Sequence, residues 1–361
     1  MSRDRDDSER LLAAVAHAAE HERSFAIVGR GSKTFLSPNV SVGGSMLAVG
    51  DHCGVIDYRH DELVMTARAG TALVELRRVL AAQGQMMAFD PPMFAGDGTL
   101  GGAVATGLSG PGRPWYGALR DAVLGVTLIN GRAERLRFGG SVMKNVAGYD
   151  VSRLMVGSFG TLGVLLDVSL KIMPRPQYES TRVFELDRDD AHRRVVEFAR
   201  TPIPLSATCH ADRALYVRLS GTEKGVRAAA LAIGGDEWPH PAELWDSLRD
   251  RTHRFFAGAR PYRVALPAAA AYPHVEGEWL TEWGGAQRWV KTSMPLRDVA
   301  ALVRKSGGHA ATFGIGAQQL DEGALKYYRR IKHAFDPKAI FNRGRLFPEI
   351  GHENGHDADG R

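Results

Sequence analysis

Three glycine-bearing segments have residue types and spacing that could hold an anion. The first, Gly29-Arg-Gly-Ser-Lys-Thr34, follows the apolar run Phe25–Val28. It is not a Walker loop, because Ser32 separates Gly31 from Lys33 and no glycine stands at the required upstream position. It is not a Rossmann fingerprint, because Thr34 occupies the place of the third glycine. What remains is a strand ending in a turn of small residues with two cations. It is either a tight turn with solvated charges or a turn that aims backbone N–H groups at a phosphate, with Lys33 or Arg30 adding charge. The second segment is Pro91-Pro92 followed by Gly98-Thr-Leu-Gly-Gly102. A helix beginning near Thr99 would turn its free N–H groups toward an anion, and Gly101 and Gly102 would let a ligand approach the backbone. The third, Gly157-Ser-Phe-Gly-Thr-Leu-Gly163, runs into a strand. Three such loops, each at a strand or helix end, suggest one long diphosphate ligand; the alternative is a glycine-rich rim with no ligand.

The elements that would position these loops are readable from periodicity. Ser8–Arg23 has helical spacing in Leu11, Leu12, Val15, Ala18 and Ala19, as does Thr71–Gln83 in Leu73, Leu76, Val79 and Leu80. Strands are expected at Phe25–Val28, Met46–Val49, Val55–Tyr58, Leu63–Ala67, Met86–Phe89, Val123–Ile129, Glu134–Phe138 and Val164–Ile172, with Asn130-Gly131 as a hairpin signal. Thr99–Leu108 reads as a small-residue helix. Pro174-Arg-Pro176 marks a domain boundary. Beyond it the pattern alternates helix and strand. Helices are expected at Asp190–Arg200, Glu223–Ile233, Glu243–Phe255, Leu296–Ser306 and Leu320–Phe335. Strands are expected at Val183–Leu186, Ala207–His210, Leu215–Leu219, Tyr262–Leu266, Arg288–Thr292 and Ala310–Phe313.

Composition narrows the classes. A chain of 361 residues with 44% hydrophobic and 24% charged residues is globular and long enough for roughly two domains. Sixteen of the 41 glycines fall within residues 91–165, interleaved with apolar residues, so that segment is patterned and not a linker. Two cysteines, Cys53 and Cys209, exclude a disulfide framework and a four-thiolate iron–sulfur cluster held by this chain alone. The formal charge of +5 permits an anionic partner, but no basic stripe with aromatics argues for nucleic acid. No run is long enough for a membrane helix, and the polar N-terminus lacks a signal-peptide core, so a cytoplasmic protein is expected.

Taken together, Pro91-Pro92, Gly98 through Pro111, Arg113-Pro-Trp-Tyr-Gly117, Lys144-Asn-Val-Ala-Gly-Tyr-Asp-Val151 and Gly157–Gly163 resemble the FAD-binding domain of the vanillyl-alcohol-oxidase, or PCMH, type. Within it they resemble the E-subunit family of bacterial glycolate oxidases. That resemblance extends to Trp283-Gly-Gly-Ala-Gln-Arg-Trp289, Gly307-Gly-His-Ala310 and the ending Asp336-Pro through Leu346, where Arg343 replaces a proline common in the family.

The resemblance implies an α+β fold. Residues 1–176 would be a PCMH-type FAD-binding domain of two small sheets with flanking helices, residues 177–330 an α+β cap, and residues 331–361 a C-terminal segment returning to the flavin before a frayed tail. It implies noncovalent FAD. Gly29, Arg30, Gly31, Ser32 and Lys33 would wrap the pyrophosphate. Pro92, Gly98, Thr99, Gly101 and Gly102 would lie along the pyrophosphate, ribityl chain and flavin. Ser109, Gly110 and Gly117 would be near the flavin or ribose. Gly163 and Val164 would offer backbone to the adenine, and Asn342 and Arg345 would come back to the flavin.

The implied reaction is oxidation of glycolate to glyoxylate. The implied partners are a second, D-type flavin subunit and an F-type iron–sulfur subunit, with no nucleic acid and no membrane-spanning segment, and with peripheral placement at the inner membrane through the complex. Catalytic residues are not identifiable. Among 13 histidines no His-x-His pair exists. His17 and His21 read as surface residues, as do His352 and His356, so no metal set is expected. His309 reads as structural or as supporting the site. Trp283 and Trp289, six apart on an expected strand, read as core packing rather than flavin shielding. Lys144, Asn145 and Tyr149 either approach the flavin edge or are solvated and packed. Two other readings stay open: a stand-alone 2-hydroxy-acid dehydrogenase, and a scaffold that has lost FAD.

Overall fold

The computed structural model describes residues 4–36, 45–94, 96, 98–140, 150–313 and 322–346. Lys144, Asn145, Tyr149, His352 and His356 lie outside the described residues. The fold is α+β, as expected.

The first half starts with α1 (Ser8–Glu20), whose buried stripe of Leu11, Val15 and Ala18 packs on a two-stranded parallel sheet. That sheet pairs β1 (Phe25–Val28) with β2 (Ser45–Ala48). A second, antiparallel sheet contains β3 (Val55–Arg59), β4 (Val64–Arg68), β5 (Gln85–Met87), β6 (Val123–Ile129), β7 (Arg135–Gly139) and β8 (Val164–Pro174). Its order is β3-β4-β8-β6-β7, with β5 on the far end of β8. Between these strands lie α2 (Leu73–Ala81), α3 (Leu100–Thr106), α4 (Arg113–Tyr116), α5 (Leu119–Ala122) and α6 (Val151–Leu154). The main core sits under this sheet, where Leu73, Leu76 and Leu80 of α2 meet Leu100, Val104, Leu128 and Val168.

Residues 175–177 join β8 to the first strand of a third sheet. Its elements are β9 (Tyr178–Glu185), α7 (Arg188–Phe198), β10 (Leu205–Ala211), β11 (Ala214–Gly221), α8 (Glu223–Ile233), β12 (Asp236–Glu237), α9 (Pro241–Arg249), β13 (Tyr262–Ala265), β14 (Glu278–Glu282), β15 (Gln287–Lys291), α10 (Leu296–Lys305) and β16 (His309–Thr312). The eight strands are antiparallel in the order β12-β9-β11-β10-β14-β15-β13-β16. α7, α8 and α10 cover one face. The other face packs on α9 and on Trp115 of α4, so it looks back toward the first half of the chain.

α11 (Glu322–Phe335) then returns the chain to the first half. Asp336 accepts from the Ile340 and Phe341 N–H groups and from Lys332 Nζ, whose ammonium also donates to the Thr161 and Phe341 carbonyls. These bonds pin residues 336–342 against the loop that precedes β8. Phe25 N–H donates to Ile340 O and Asn342 N–H donates to Phe25 O, so the C-terminal segment runs beside β1. Gly131 explains part of the hairpin between β6 and β7. A Cβ there would come within 2.5 Å of Asp336 Oδ1, while the positive φ of the turn falls on Ala133.

Two local expectations differ. The expected helix Glu243–Phe255 ends at Arg249, where Asp250 leaves it to accept from Met93 N–H at 2.6 Å. Trp283 and Trp289 do not share a strand. Trp283 has φ of 57° and Gly284 has φ of 65°, so the chain makes a turn after β14 and re-enters the sheet at Gln287. Trp289 is fully buried in the core of the third sheet.

Candidate functional site

A cleft opens between the two sheets of the first half. Its walls are the β1 turn, the start of α3, the loop ahead of β8 and the C-terminal segment. The cleft gathers Gly29, Arg30, Gly31, Ser32, Lys33, Thr99, Gly101, Gly102, Gly163 and Asn342 from the sequence-derived set.

The turn after β1 supplies open donors. Gly31 has φ of 76°, a conformation that glycine adopts without strain. Among the described residues, none accepts a hydrogen bond from the N–H of Gly31, Ser32 or Lys33. Lys33 itself is buried, and its ammonium has only a long 3.5 Å bond to Ser32 Oγ. Burial pushes the Lys33 pKa down to about 8, partly offset by the Asp250 carboxylate. A second cation reaches the cleft from the other end of the chain. Arg345 lines it, burial lowers its guanidinium pKa, and its Nε has no partner among the described residues. Open amides beside two desolvated cations can take a phosphate or diphosphate, whose charge would repay the cost of burying them.

α3 plays a different part from the one expected. Its first N–H groups do not face an anion. Leu100 N–H donates to Thr71 O, Gly101 N–H to Ala69 O, and Gly102 N–H to the Thr99 side chain. The glycines serve close approach instead. A Cβ on Gly101 would lie 2.8 Å from the Ala69 Cβ, and one on Gly29 would lie 2.7 Å from Thr99 Oγ1. A Cβ on Gly102 would point to Lys33 Nζ at 3.7 Å.

Asn342 closes the cleft. Its Oδ1 accepts from Ile27 N–H at 2.8 Å and its Nδ2 donates to Phe159 O at 2.7 Å. Phe159 and Gly160 line the same wall; they lie in the Gly157–Gly163 loop named from sequence, where only Gly163 was given a role of its own. Gly160 carries the signal, because its φ is 70° and a Cβ would lie 2.6 Å from Asn342 Nδ2.

Other candidates fall elsewhere. Gly98 stands behind Lys33, where a Cβ would approach Nζ to 3.3 Å. Val164 is fully buried in the core beneath Gly163. Pro92, Ser109, Gly110 and Gly117 are outside the cleft wall. Gly110 sits at the seam with the third sheet: its N–H donates to Asp90 O, and its carbonyl accepts from Trp283 Nε1 at 2.9 Å. Ser109 is buried there, and its hydroxyl has no partner among the described residues. His17 and His21 are exposed on α1, and His309 is exposed at the start of β16. Among the described residues, no group of three His, Cys, Asp or Glu could hold a metal ion.

Residues 6–139, which carry the β1 turn and α3, match the FAD binding domain family. Over 354 residues the chain is 41% identical to glycolate oxidase subunit GlcE of Escherichia coli (strain K12), covering 97% of this chain and the whole of that one. The chain belongs to the GlcE family of glycolate oxidase subunits. This GlcE-family chain is also 29% identical over 191 residues to glycolate oxidase subunit GlcD of Bacillus subtilis (strain 168), covering 52% of this chain and 39% of that one. Among solved structures, alkyldihydroxyacetonephosphate synthase superposes with a TM-score of 0.66 at 17% identity, covering 92% of this chain and 74% of that one; this likeness is one of fold. FAD is the cofactor of this GlcE-family chain, and a diphosphate is the group its cleft is chemically equipped to take.

Proposed function

We propose that this chain is the FAD-holding E-type subunit of a heteromeric glycolate oxidase, taking part in oxidation of glycolate to glyoxylate. The observation that carries the reading is the meeting of open amides, Lys33 and Arg345 in one cleft of a chain 41% identical to GlcE. The amides of residues 31–33 and the Lys33 ammonium hold the diphosphate of noncovalent FAD. Gly101 and Gly102 let α3 lie along it, Gly163 borders the adenine end, and Asn342 holds the far wall in register. Residues 1–176 form the cofactor domain and residues 177–330 the cap. Bound FAD supplies a two-electron acceptor for the α-carbon hydrogen of a 2-hydroxy acid.

Electrons leave through an F-type iron–sulfur subunit, beside a D-type flavin subunit. This chain has two cysteines, too few for a four-thiolate cluster. Among the described residues, no helix is long and apolar enough to cross a membrane. The complex is cytoplasmic and meets the inner membrane through its partners.

Co-expression with D-type and F-type subunits, followed by affinity purification, tests this. A yellow chain that recovers both partners, with acceptor reduction that rises when they are present, is the expected result. A chain that purifies alone and oxidises glycolate at a rate the partners do not increase would establish the stand-alone dehydrogenase instead. A colourless chain that still assembles would make it a scaffold.

A further inference from the structure

A second polar constellation lies on the third sheet, on the face that looks toward α4. The strand register sets Cys209, Glu282, Gln287, Ala265 and His309 opposite one another across β10, β14, β15, β13 and β16. Arg263, two residues from Ala265 on β13, projects from the same face.

The hydrogen bonds along this row have a direction. Glu282 is fully buried, and its Oε1 accepts from Arg251 at 2.8 Å, from Gln287 Nε2 at 2.6 Å and from Trp289 Nε1 at 2.8 Å. Arg251 neutralises this carboxylate. The Gln287 amide is thereby fixed, and its Oε1 accepts from Arg263 Nε at 2.7 Å. Arg263 is thus oriented by a neutral amide and has no carboxylate partner among the described residues.

A second cation stands at the same indole. Arg263 stands 5.7 Å from the Trp283 ring and Arg113 of α4 stands 4.8 Å from it. Trp283 is held by its bond to Gly110 O. Burial, with Arg251 and Arg113 nearby, pulls the Arg263 guanidinium down to about 10. Arg263 is partly buried with no acid partner among the described residues, and the exposed Arg113 adds a second cation beside it, so an anion would be favoured there. A guanidinium with Nε already bonded leaves its remaining N–H groups for a planar carboxylate. His309 lies on the same face. Partial desolvation and the nearby Arg263 lower the pKa of this exposed imidazole.

We infer that Arg263, with Arg113 at the same Trp283 ring, forms a carboxylate-binding site for a small hydroxy acid on this chain itself. The choice of acid rests on the proposed function; the site does not.

The test is calorimetric titration of the purified chain with glycolate, and with glycolamide as a neutral isostere, alongside measurement of FAD content. Saturable glycolate binding is expected, with glycolamide at least tenfold weaker. Arg263→Gln should raise the glycolate Kd at least tenfold at unchanged FAD content, and Arg263→Lys should recover part of it. Arg113→Gln, at an exposed side chain, should weaken binding at least threefold even if the Arg263 variants fold poorly. Absence of glycolate binding to the FAD-loaded chain overturns the inference and leaves the cofactor reading intact. Equal affinity for glycolamide, or unchanged affinity in Arg113→Gln, also overturns it. Loss of FAD from the wild-type chain strikes the proposed function alone, because calorimetry reads the carboxylate site with or without the flavin.

Discussion

Asn342 accepts a hydrogen bond from the Ile27 N–H at 2.8 Å across 315 positions of sequence. With its second bond to Phe159 O, one carboxamide joins the end of β1, the loop ahead of β8 and the C-terminal segment. Asn342 is buried and has φ of 40°, which asparagine tolerates better than most residues. Asn342→Ala would leave a buried donor and a buried acceptor without partners, at a cost of about 2–4 kcal/mol. Thermal unfolding should show that loss. Amide exchange should quicken at residues 340–345 and at Ile27, and FAD content should fall.

Lys33 should make FAD affinity dependent on pH. Its free-protein value of about 8 is below the unfolded value of about 10.4. The FAD-free fold therefore binds fewer protons than the unfolded chain between those limits, and its stability rises with pH across that window. Diphosphate binding restores the proton. FAD affinity should consequently fall as pH rises above 8, approaching tenfold per unit. Lys33→Met should flatten that dependence and weaken binding at pH 7 roughly 10- to 100-fold. Fluorescence titration with FAD across pH measures both effects.

Two adjacent glycines should fail in different ways. In Gly101→Val the new Cβ meets the Ala69 Cβ at 2.8 Å and the Ala69 carbonyl at 3.1 Å, neither of which can move without the β4 end moving. That variant should lose stability by about 2 kcal/mol or more. In Gly102→Val the nearest atoms are Thr99 Oγ1 at 3.1 Å and Lys33 Nζ at 3.7 Å. That variant should keep its circular dichroism and lose its FAD. Normal flavin content in Gly102→Val would show that the α3 start does not border the cofactor.

The flavin should leave with acid. Cys53 is buried in a backbone bridge with Arg5, and Cys209 is buried in β10, with its thiol pKa raised by burial and by Glu282. Among the described residues, neither lines the cleft and no histidine does. Acid precipitation should leave the yellow colour in the supernatant, and colour retained in the pellet would demonstrate a covalent bond.

The three glycine loops were legible because each needs a residue without a side chain at a place where another segment packs closely against it. Gly29 against Thr99, Gly101 against Ala69 and Gly163 against the Ile129 carbonyl are such contacts. What could not be read was which N–H groups stay open. The α3 start looked like an anion site, but Ala69 and Thr71 at the end of β4 use its donors, a pairing set by tertiary placement. β14 was missed because Glu278-Trp-Leu-Thr-Glu282 lacks a simple alternation; its terminal acid is buried only because Arg251, Gln287 and Trp289 arrive from elsewhere. The polar row on the third sheet is invisible for the same reason, since it exists only in the register of five strands.

The walls of the cleft are made at opposite ends of synthesis. Residues 25–163 leave the ribosome early, bringing the Lys33 turn and the α3 glycines. Asn342 and Arg345 come only after the whole third sheet has been translated. A nascent chain therefore carries the glycine turn without its opposite wall until its last segment has slotted in beside Phe25. If the flavin needs both walls, cofactor loading would act as a check on completeness, and a message cut short before residue 342 should yield a protein that is colourless as well as truncated.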